Sequence, residues 1–202
     1  MNSGTLLLTS TGLSSQPIAE KFKALASNYK NSTVAIVTTA TEEKESNKYS
    51  QLAKKQFNEM GFSHIDFVDL ETEPSNDFSK YKIVYVCGGN TFKLLKFSHQ
   101  ANFKVSIKNL LDRNGIYIGV SAGSIIVGPT IKIAGEIEPD ENKVGLKDLT
   151  GFGITDLIIL PHYSSRIEEE TKAFEKKHHI VVERLNNNQA ILLQDKKKII
   201  IS

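Results

Sequence analysis

The feature that most constrains the fold of this chain is a series of short apolar runs, each of strand length. Several runs are continuously apolar rather than alternating, which is typical of strands covered on both faces. Amphipathic segments at 18–29, 43–60 and 103–113 lie between the early runs. This order predicts an α/β fold with a doubly wound, mostly parallel sheet. The runs are 5–8, 34–37, 65–68, 83–86, 116–120, 157–160, 180–182, 190–193 and 199–201.

Length, charge and composition limit the domain organisation and the partners. The 202 residues are 40% hydrophobic and contain no Pro/Gly/Ser-rich linker, which favours one domain over 1–202. The net charge is +2 with acids and bases interleaved, so neither a nucleic-acid nor a membrane partner is expected, and the basic cluster at 196–198 is interpreted as a solvated turn. With no basic leader and no apolar run near ~20 residues, a cytoplasmic protein is expected.

Two segments in the second half of the chain depart from this alternation. Residues 129–153 are rich in Gly, Asp, Glu and Lys and have no strong period, which indicates a long excursion that could fold over a site. After a helical pattern at 166–177, the runs at 190–193 and 199–201 follow, joined across 194–197. These runs predict an antiparallel hairpin at the edge of the sheet.

A G-x-S-x-G motif at 119–123 follows one of the apolar runs and precedes the small and apolar residues 124–127. The context is strand, tight turn, helix, so Ser121 is expected at the end of the sheet with its hydroxyl exposed. The first N–H groups of the helix would point at an oxyanion that forms there. The motif alone also marks ordinary strand-to-helix turns, so its interpretation depends on the other strand ends.

Two further strand ends carry suitable residues, since ligands of open α/β sheets bind beyond the carboxyl ends of the strands. Gly88 and Gly89 would bring bare N–H groups close to a ligand and, with the Ala122 N–H, could form an oxyanion hole. His162 is a candidate general base for Ser121. Together the three strand ends favour acyl transfer to water.

Each of these residues also has an ordinary interpretation. The two glycines could form only a turn, Asn90 could be the N-cap of a following helix, and His162 could be a loop histidine. The single cysteine, Cys87, excludes an internal disulfide and is interpreted as a buried small side chain. No histidine pair has metal-ligand spacing supported by carboxylates, so neither a metal nor an organic cofactor is expected.

Four motifs, taken together and in order, resemble the dipeptidase E family of serine peptidases, peptidase family S51, which includes aspartyl dipeptidases. The resemblance runs nearly end to end and implies a flavodoxin-like or class I glutamine amidotransferase-like fold. It also implies a peptidase acting on short peptides, with Ser121 as nucleophile, His162 as general base and an oxyanion hole from the backbones of Gly89 and Ala122. The motifs are Gly-Gly-Asn-Thr at 88–91, the elbow at 119–124, Pro-Thr-Ile at 129–131 and Leu-Pro-His-Tyr at 160–163.

The chain departs from this family at the third catalytic position. The aspartyl dipeptidases have a glutamate in the loop before the last hairpin, and Asn187 stands there in this chain. An amide oxygen can orient His162 but cannot stabilise an imidazolium as a carboxylate does, and a similar loss in the serine-protease template costs about 10,000-fold in turnover. The alternatives are a Ser–His–Asn arrangement, a Ser–His dyad, another acid, or a weak or inactive homologue that binds a peptide or an amino-acid derivative.

The resemblance also suggests substrate-binding residues, namely Gly88, Asn90 and Arg166. Aspartyl dipeptidases hold the substrate's N-terminal aspartate with an arginine on the segment after the histidine, and Arg166 is the arginine near that place. A surface arginine opposite Glu169 or Glu170 is the alternative. The implied partner is a short peptide, and the protein is expected to be a monomer or a homodimer.

The resemblance further places an acidic residue of the family's variable loop at Glu136. It lies fifteen positions after Ser121, inside the excursion. The sequence assigns it no role. A class I glutamine amidotransferase would need a cysteine where Ser121 stands, which argues against that related activity.

Overall fold

The computed structural model describes residues 4–137, 139–195 and 197–202. Within these residues every predicted apolar run overlaps a strand. Of the turn predicted at 196–198, Lys196 lies outside the described residues, whereas Lys197 and Lys198 begin the last strand rather than a turn. The strands are β1 (Thr5–Thr9), β2 (Thr33–Val37), β3 (Ile65–Val68), β4 (Tyr81–Val86), β5 (Ile116–Val120), β6 (Ile158–Leu160), β7 (Val182–Arg184), β8 (Ala190–Gln194) and β9 (Lys197–Ile201).

The main sheet has seven strands in the order β3-β2-β4-β5-β1-β8-β9 across the described residues. The first five are mutually parallel, and β8 runs antiparallel to β1, with Leu7 opposite Ile118 on one side and Leu192 on the other. The hairpin of β8 and β9 forms one edge of the sheet. The predicted α/β class, the mostly parallel sheet and the C-terminal hairpin are therefore confirmed.

Helices cover both faces of this sheet. The segments predicted as helices at 18–29 and 43–60 each contain an α-helix and a short 3-10 turn. In the second of them the helix begins after Asn47, because the Asn47 side chain accepts a hydrogen bond from Tyr49 N at 2.9 Å. No helix of the described residues is both long and apolar enough to cross a bilayer. The helices are α1 (Gln16–Leu25), α2 (Lys48–Glu59), α3 (Thr91–Gln100), α4 (Phe103–Asp112), α5 (Ala122–Ile125), α6 (Lys132–Glu136) and α7 (Glu168–His178).

Two hydrophobic cores, one on each face, explain why the strand sequences are continuously apolar. Leu7 of β1 packs with Phe22 of α1 and Phe57 of α2, whereas its neighbour Leu8 packs with Leu94 of α3 on the opposite face. All of these side chains are fully buried. Because successive side chains of a strand point to opposite faces, burying both faces requires apolar residues at consecutive positions.

Strands β6 and β7 do not join the main sheet, although β6 was expected to be one of its strands. They form a separate parallel pair in which Ile159 lies opposite Glu183. Both sides of β1 are already occupied, by β5 and β8, so β6 has no free edge there. Leu185, just after β7, closes the pair by donating its N–H to Leu160 O at 3.0 Å.

The excursion at 129–153 packs against α3. Asp140 accepts a hydrogen bond from the Thr91 N–H at 2.8 Å, and the Asn90 amide donates to Glu141 O at 2.9 Å. Val144 and Leu146 pack against the core on that face. These contacts hold the excursion over the first turn of α3.

A buried serine joins the two central strands to the helix that follows them. Ser124 Oγ accepts a hydrogen bond from Thr9 N at 2.9 Å and lies 2.8 Å from Thr9 O and 2.9 Å from Gly119 O. Ser124 and Thr9 are fully buried. This hydroxyl therefore fixes the carboxyl end of β1 against that of β5.

We expect Ser124→Ala to lower the free energy of unfolding by about 1–3 kcal/mol, because the buried Thr9 N–H loses its partner. Ser98 provides a matched control, since it is also a fully buried helical serine but its Oγ has no hydrogen-bond partner among the described residues. Ser98→Ala should change the same quantity by less than about 0.5 kcal/mol. Urea unfolding of both variants measures the difference, and equal losses would contradict the role given to Ser124.

Candidate active site

Ser121 occupies a sharp turn between β5 and α5. Its backbone has φ +49° and ψ −109°, a conformation that non-glycine residues rarely adopt. The flanking glycines are required by packing, because a Cβ on Gly119 would lie 2.6 Å from Gly123 O, and one on Gly123 would lie 2.6 Å from Val86 O. The G-x-S-x-G pattern is thus the sequence signature of two close backbone approaches on either side of a strained serine.

The glycine pair after β4 lies beside this serine. A Cβ on Gly88 would lie 3.0 Å from Ser121 Cβ, and one on Gly89, at φ +139°, would lie 2.5 Å from Ala40 O. Only glycine fits either position without displacing a neighbour. The N–H groups of Gly89 and Ala122 have no backbone acceptor among the described residues. Gly89 lines the cleft, whereas Ala122 is fully buried directly after the cleft-lining Ser121.

His162 is held through its backbone and its ring. The backbone, at φ +54°, donates its N–H to Ser10 Oγ at 3.1 Å. The ring Nδ1 lies 2.8 Å from Asn187 Oδ1. Since the amide oxygen can only accept, this contact assigns the proton to Nδ1 and leaves the Nε2 lone pair free to take a proton from another group.

Two residues of the loop after β1, Ser10 and Thr11, hold the segments that carry the histidine and the asparagine. Ser10 Oγ donates to Leu185 O at 3.0 Å, and Thr11 Oγ1 donates to Asn187 O at 2.7 Å. Sequence reasoning missed both residues. The signal was present, because they directly follow a buried strand at the carboxyl edge of the sheet.

One cleft of about 590 Å³ contains the predicted nucleophile, base and asparagine. Ser121 is half-buried, while His162 and Asn187 are exposed. Among the described residues no hydrogen bond joins Ser121 Oγ to the His162 ring, and such contacts commonly tighten when substrate binds. The lining residues are Ser10, Thr11, Ser14, Thr41, Asn47, Tyr49, Leu52, Gln56, Tyr85, Gly88, Gly89, Val120, Ser121, His162, Asn187 and Asn188.

The structure separates the three residues predicted to bind substrate. Gly88 lines the cleft, but Asn90 and Arg166 do not. Asn90 is the N-cap of α3, where its Oδ1 accepts from Lys93 N at 2.9 Å. Arg166 is exposed in a 3-10 turn, and within the described ranges it forms no ion pair with Glu169 or any other acid. The excursion at 129–153 likewise contributes no described residue to the cleft lining.

The structure also shows the surroundings of Glu136 and Cys87, the two other residues singled out from the sequence. The Glu136 carboxylate lies 2.7 Å from Lys177 Nζ and 2.9 Å from His178 Nε2, so it joins α6 to α7. Burial would raise the pKa of Glu136, but these two hydrogen bonds lower it on balance. Burial raises the pKa of the Cys87 thiol to about 11, so it stays protonated at neutral pH.

An ion-pair network supports the residue next to His162. Arg184 Nε lies 2.8 Å from a Glu168 oxygen, and Arg184 Nη2 lies 2.9 Å from a Glu175 oxygen. The Tyr163 hydroxyl donates to the same Glu168 carboxylate at 3.0 Å. The Arg184 guanidinium holds the pKa of Glu168 below its ordinary value. This network ties α7 and β7 to the segment that carries the histidine, and no local sequence pattern indicated it.

The chain is similar to known peptidases over most of its length. The family model described as peptidase family S51 matches residues 6–201. An uncharacterised peptidase of Pasteurella multocida is 29% identical over 152 residues, which are 73% of this chain and 73% of that protein. A peptidase E of Salmonella typhi is 34% identical over 103 residues, which are 50% of this chain and 42% of that protein.

The fold is also similar to a crystal structure of a candidate peptidase E from Listeria monocytogenes EGD-e. The two structures share 25% sequence identity with a TM-score of 0.80, over 98% of this chain and 97% of the other. Within the described ranges, no group of three or more His, Cys, Asp or Glu side chains is placed to hold a metal ion. The chain belongs to peptidase family S51 and is a peptidase.

Proposed function

We propose that this chain is a serine peptidase that hydrolyses short peptides through an acyl-enzyme on Ser121, with His162 as general base. The observation that carries the proposal is the 2.8 Å contact between His162 Nδ1 and Asn187 Oδ1 in the cleft that Ser121 lines. A nucleophile, a base and a group that orients the base make up the usual requirement for serine catalysis. The name of the Salmonella relative supports a peptide substrate.

The proposed reaction has two stages. Ser121 Oγ attacks the carbonyl carbon of the peptide while His162 Nε2 takes the hydroxyl proton, and the N–H groups of Gly89 and Ala122 stabilise the oxyanion. His162 then gives its proton to the leaving amine as the C–N bond breaks. Water then attacks the ester while His162 takes its proton, and His162 returns that proton to Ser121 Oγ as the ester C–O bond breaks and the acid product leaves.

In this proposal Asn187 is a positioning residue. Its side-chain oxygen selects the His162 tautomer that can accept a proton at Nε2, which is the first of the tasks that a triad carboxylate performs. As a neutral group it contributes less than a carboxylate to stabilising the imidazolium that forms in the transition state. The proposal therefore implies an active but moderate catalyst.

Covalent labelling tests the nucleophile. We expect a fluorophosphonate to label the parent protein at Ser121, and Ser121→Ala to abolish both labelling and peptide hydrolysis, with kcat reduced by at least about 1,000-fold. Ser14 lines the same cleft and is a matched control, so Ser14→Ala should keep both properties. Intact mass and peptide mapping locate the adduct, and a label that persists in Ser121→Ala would refute the assignment.

A carboxylate at position 187 tests the positioning residue. We expect Asn187→Asp to raise kcat by about 100-fold, because a negative charge beside Nδ1 stabilises the imidazolium. Asn188→Asp adds the same charge one residue away in the same cleft, without the contact to His162, and should change kcat less than about threefold. Steady-state kinetics on one dipeptide measures both, and equal effects would remove Asn187 from the mechanism.

A second candidate function is a binding protein that has lost catalysis, and the amide at Asn187 is the observation that favours it. Such a protein would bind a peptide or an amino-acid derivative in the same cleft. If the parent hydrolyses no dipeptide but Asn187→Glu does, this alternative is supported. If the parent is active and Ser121→Ala is not, it is excluded.

A further inference from the structure

We propose that the side of the cleft formed by α2 and Tyr85 is a subsite for a large uncharged side chain of the peptide substrate. This inference rests on the proposed function, since it concerns the substrate of the same site. It assigns specificity to cleft-lining residues other than His162 and Asn187. None of them belongs to the motifs that suggested the reaction.

The first observation is an apolar helix face exposed inside the cleft. Tyr49 and Leu52 are 64% and 41% exposed, and both line the cleft together with Gln56. The three residues are three and four positions apart, so they lie on one face of α2. Ala53 and Phe57, on the other side of the helix, are buried in the core. An exposed apolar face that lines a concave site is typical of a ligand-binding surface.

The second observation is a tyrosine hydroxyl in this wall that has no hydrogen-bond partner among the described residues. Tyr85 lines the cleft but is only 5% exposed, and its ring packs against Phe57 at a centroid distance of 5.7 Å. Its hydroxyl fills the space beside Gly12, where a Cβ would lie 2.2 Å away. Among the described residues no group forms a hydrogen bond with that hydroxyl. A hydroxyl in the lining of a cleft can form a hydrogen bond with a bound ligand or with water.

The third observation concerns charge. The described residues that line the cleft include no lysine, arginine, aspartate or glutamate. Burial raises the pKa of Tyr85, so this group too is neutral at physiological pH. A charged substrate side chain against this wall would lose water without gaining an ion pair, whereas an apolar one would cover Tyr49 and Leu52. The wall therefore selects against acidic and basic side chains alike.

A set of dipeptides tests the subsite. One position is held as Gly while the other is Leu, Phe, Tyr, Asp, Glu or Lys, and both orders are used. We expect Leu, Phe or Tyr to exceed the charged residues by about tenfold or more in kcat/KM at one of the two positions. Charged dipeptides that are hydrolysed as well as the uncharged ones in both orders would overturn the inference.

Binding to Ser121→Ala, measured by calorimetry with the same dipeptides, separates this inference from the proposed reaction. If the parent hydrolyses nothing but the variant binds uncharged dipeptides about tenfold more tightly than charged ones, the reaction fails and the subsite stands. If the parent hydrolyses acidic dipeptides best and the variant binds them best, the reaction stands and the subsite fails.

A charge placed in the wall gives the sharpest test. Leu52→Arg should shift the kcat/KM ratio toward Asp- and Glu-containing dipeptides by about tenfold, because it supplies the missing cation at an exposed position that tolerates it. Val105→Arg is the matched control, since Val105 is an exposed apolar residue of α4, 55% exposed and outside the cleft lining. An equal shift in both variants, or none in Leu52→Arg, would overturn the assignment of this wall.

Discussion

The site depends first on the strained turn at Ser121. A serine at φ +49° has no intrinsic reason to stay there, so the surrounding structure must hold it. That hold comes from backbone contacts too close for any side chain, with Gly119 against Gly123 and Gly123 against Val86 O. The Ser124 hydroxyl then joins the turn to Thr9. The proposed nucleophile is thus placed by the two central strands themselves rather than by a loop.

The topology of the sheet brings the remaining groups to the same place. Asn187 precedes β8, and β8 is antiparallel to β1 with Ala190 opposite Thr9. In an antiparallel pair, the start of one strand lies beside the end of the other. Asn187 therefore lies next to the loop after β1 that carries Ser10 and Thr11. That loop in turn holds His162. A residue from the last third of the chain and one from its beginning therefore both contact His162, the proposed base.

Sequence reasoning reached the groups whose chemistry is local and missed those that depend on long-range packing. The strands, the elbow, the glycine pair and the N-cap at Asn90 follow from patterns within about ten residues. The separate pairing of β6 and β7 does not, because it is decided by β8 occupying the free edge of β1. The role of Ser10 and the wall of Leu52 and Tyr49 depend on which loops and helices meet above the sheet. No spacing of residues within the chain indicates which loops and helices meet there.

The same distinction explains Arg166, which the family resemblance suggested as a substrate-binding residue and which the fold leaves exposed outside the cleft lining. It lies four positions after His162 and inside a 3-10 turn, and its proximity in sequence does not bring it into the cleft. A position a few residues from a catalytic group is only weakly informative unless the intervening backbone is known. The strand ends were more informative, because the direction of the sheet brings them to one edge.

The exposure of His162, the proposed base, affects how much turnover is lost by having an amide at position 187. In the serine-protease template the triad carboxylate is buried, and the amide that replaces it lowers turnover because it favours the wrong imidazole tautomer and supplies no negative charge beside the imidazolium. Here both His162 and Asn187 are exposed, so water can solvate the charge that forms on the ring. A carboxylate in this setting would act through a higher effective dielectric than in a buried triad, so its charge would contribute less than the ~10,000-fold lost in that template. In the proposed mechanism, a neutral orienting residue therefore lowers turnover less in this cleft than in a buried triad. A neutral cleft wall and a neutral third residue are thus compatible in one peptidase.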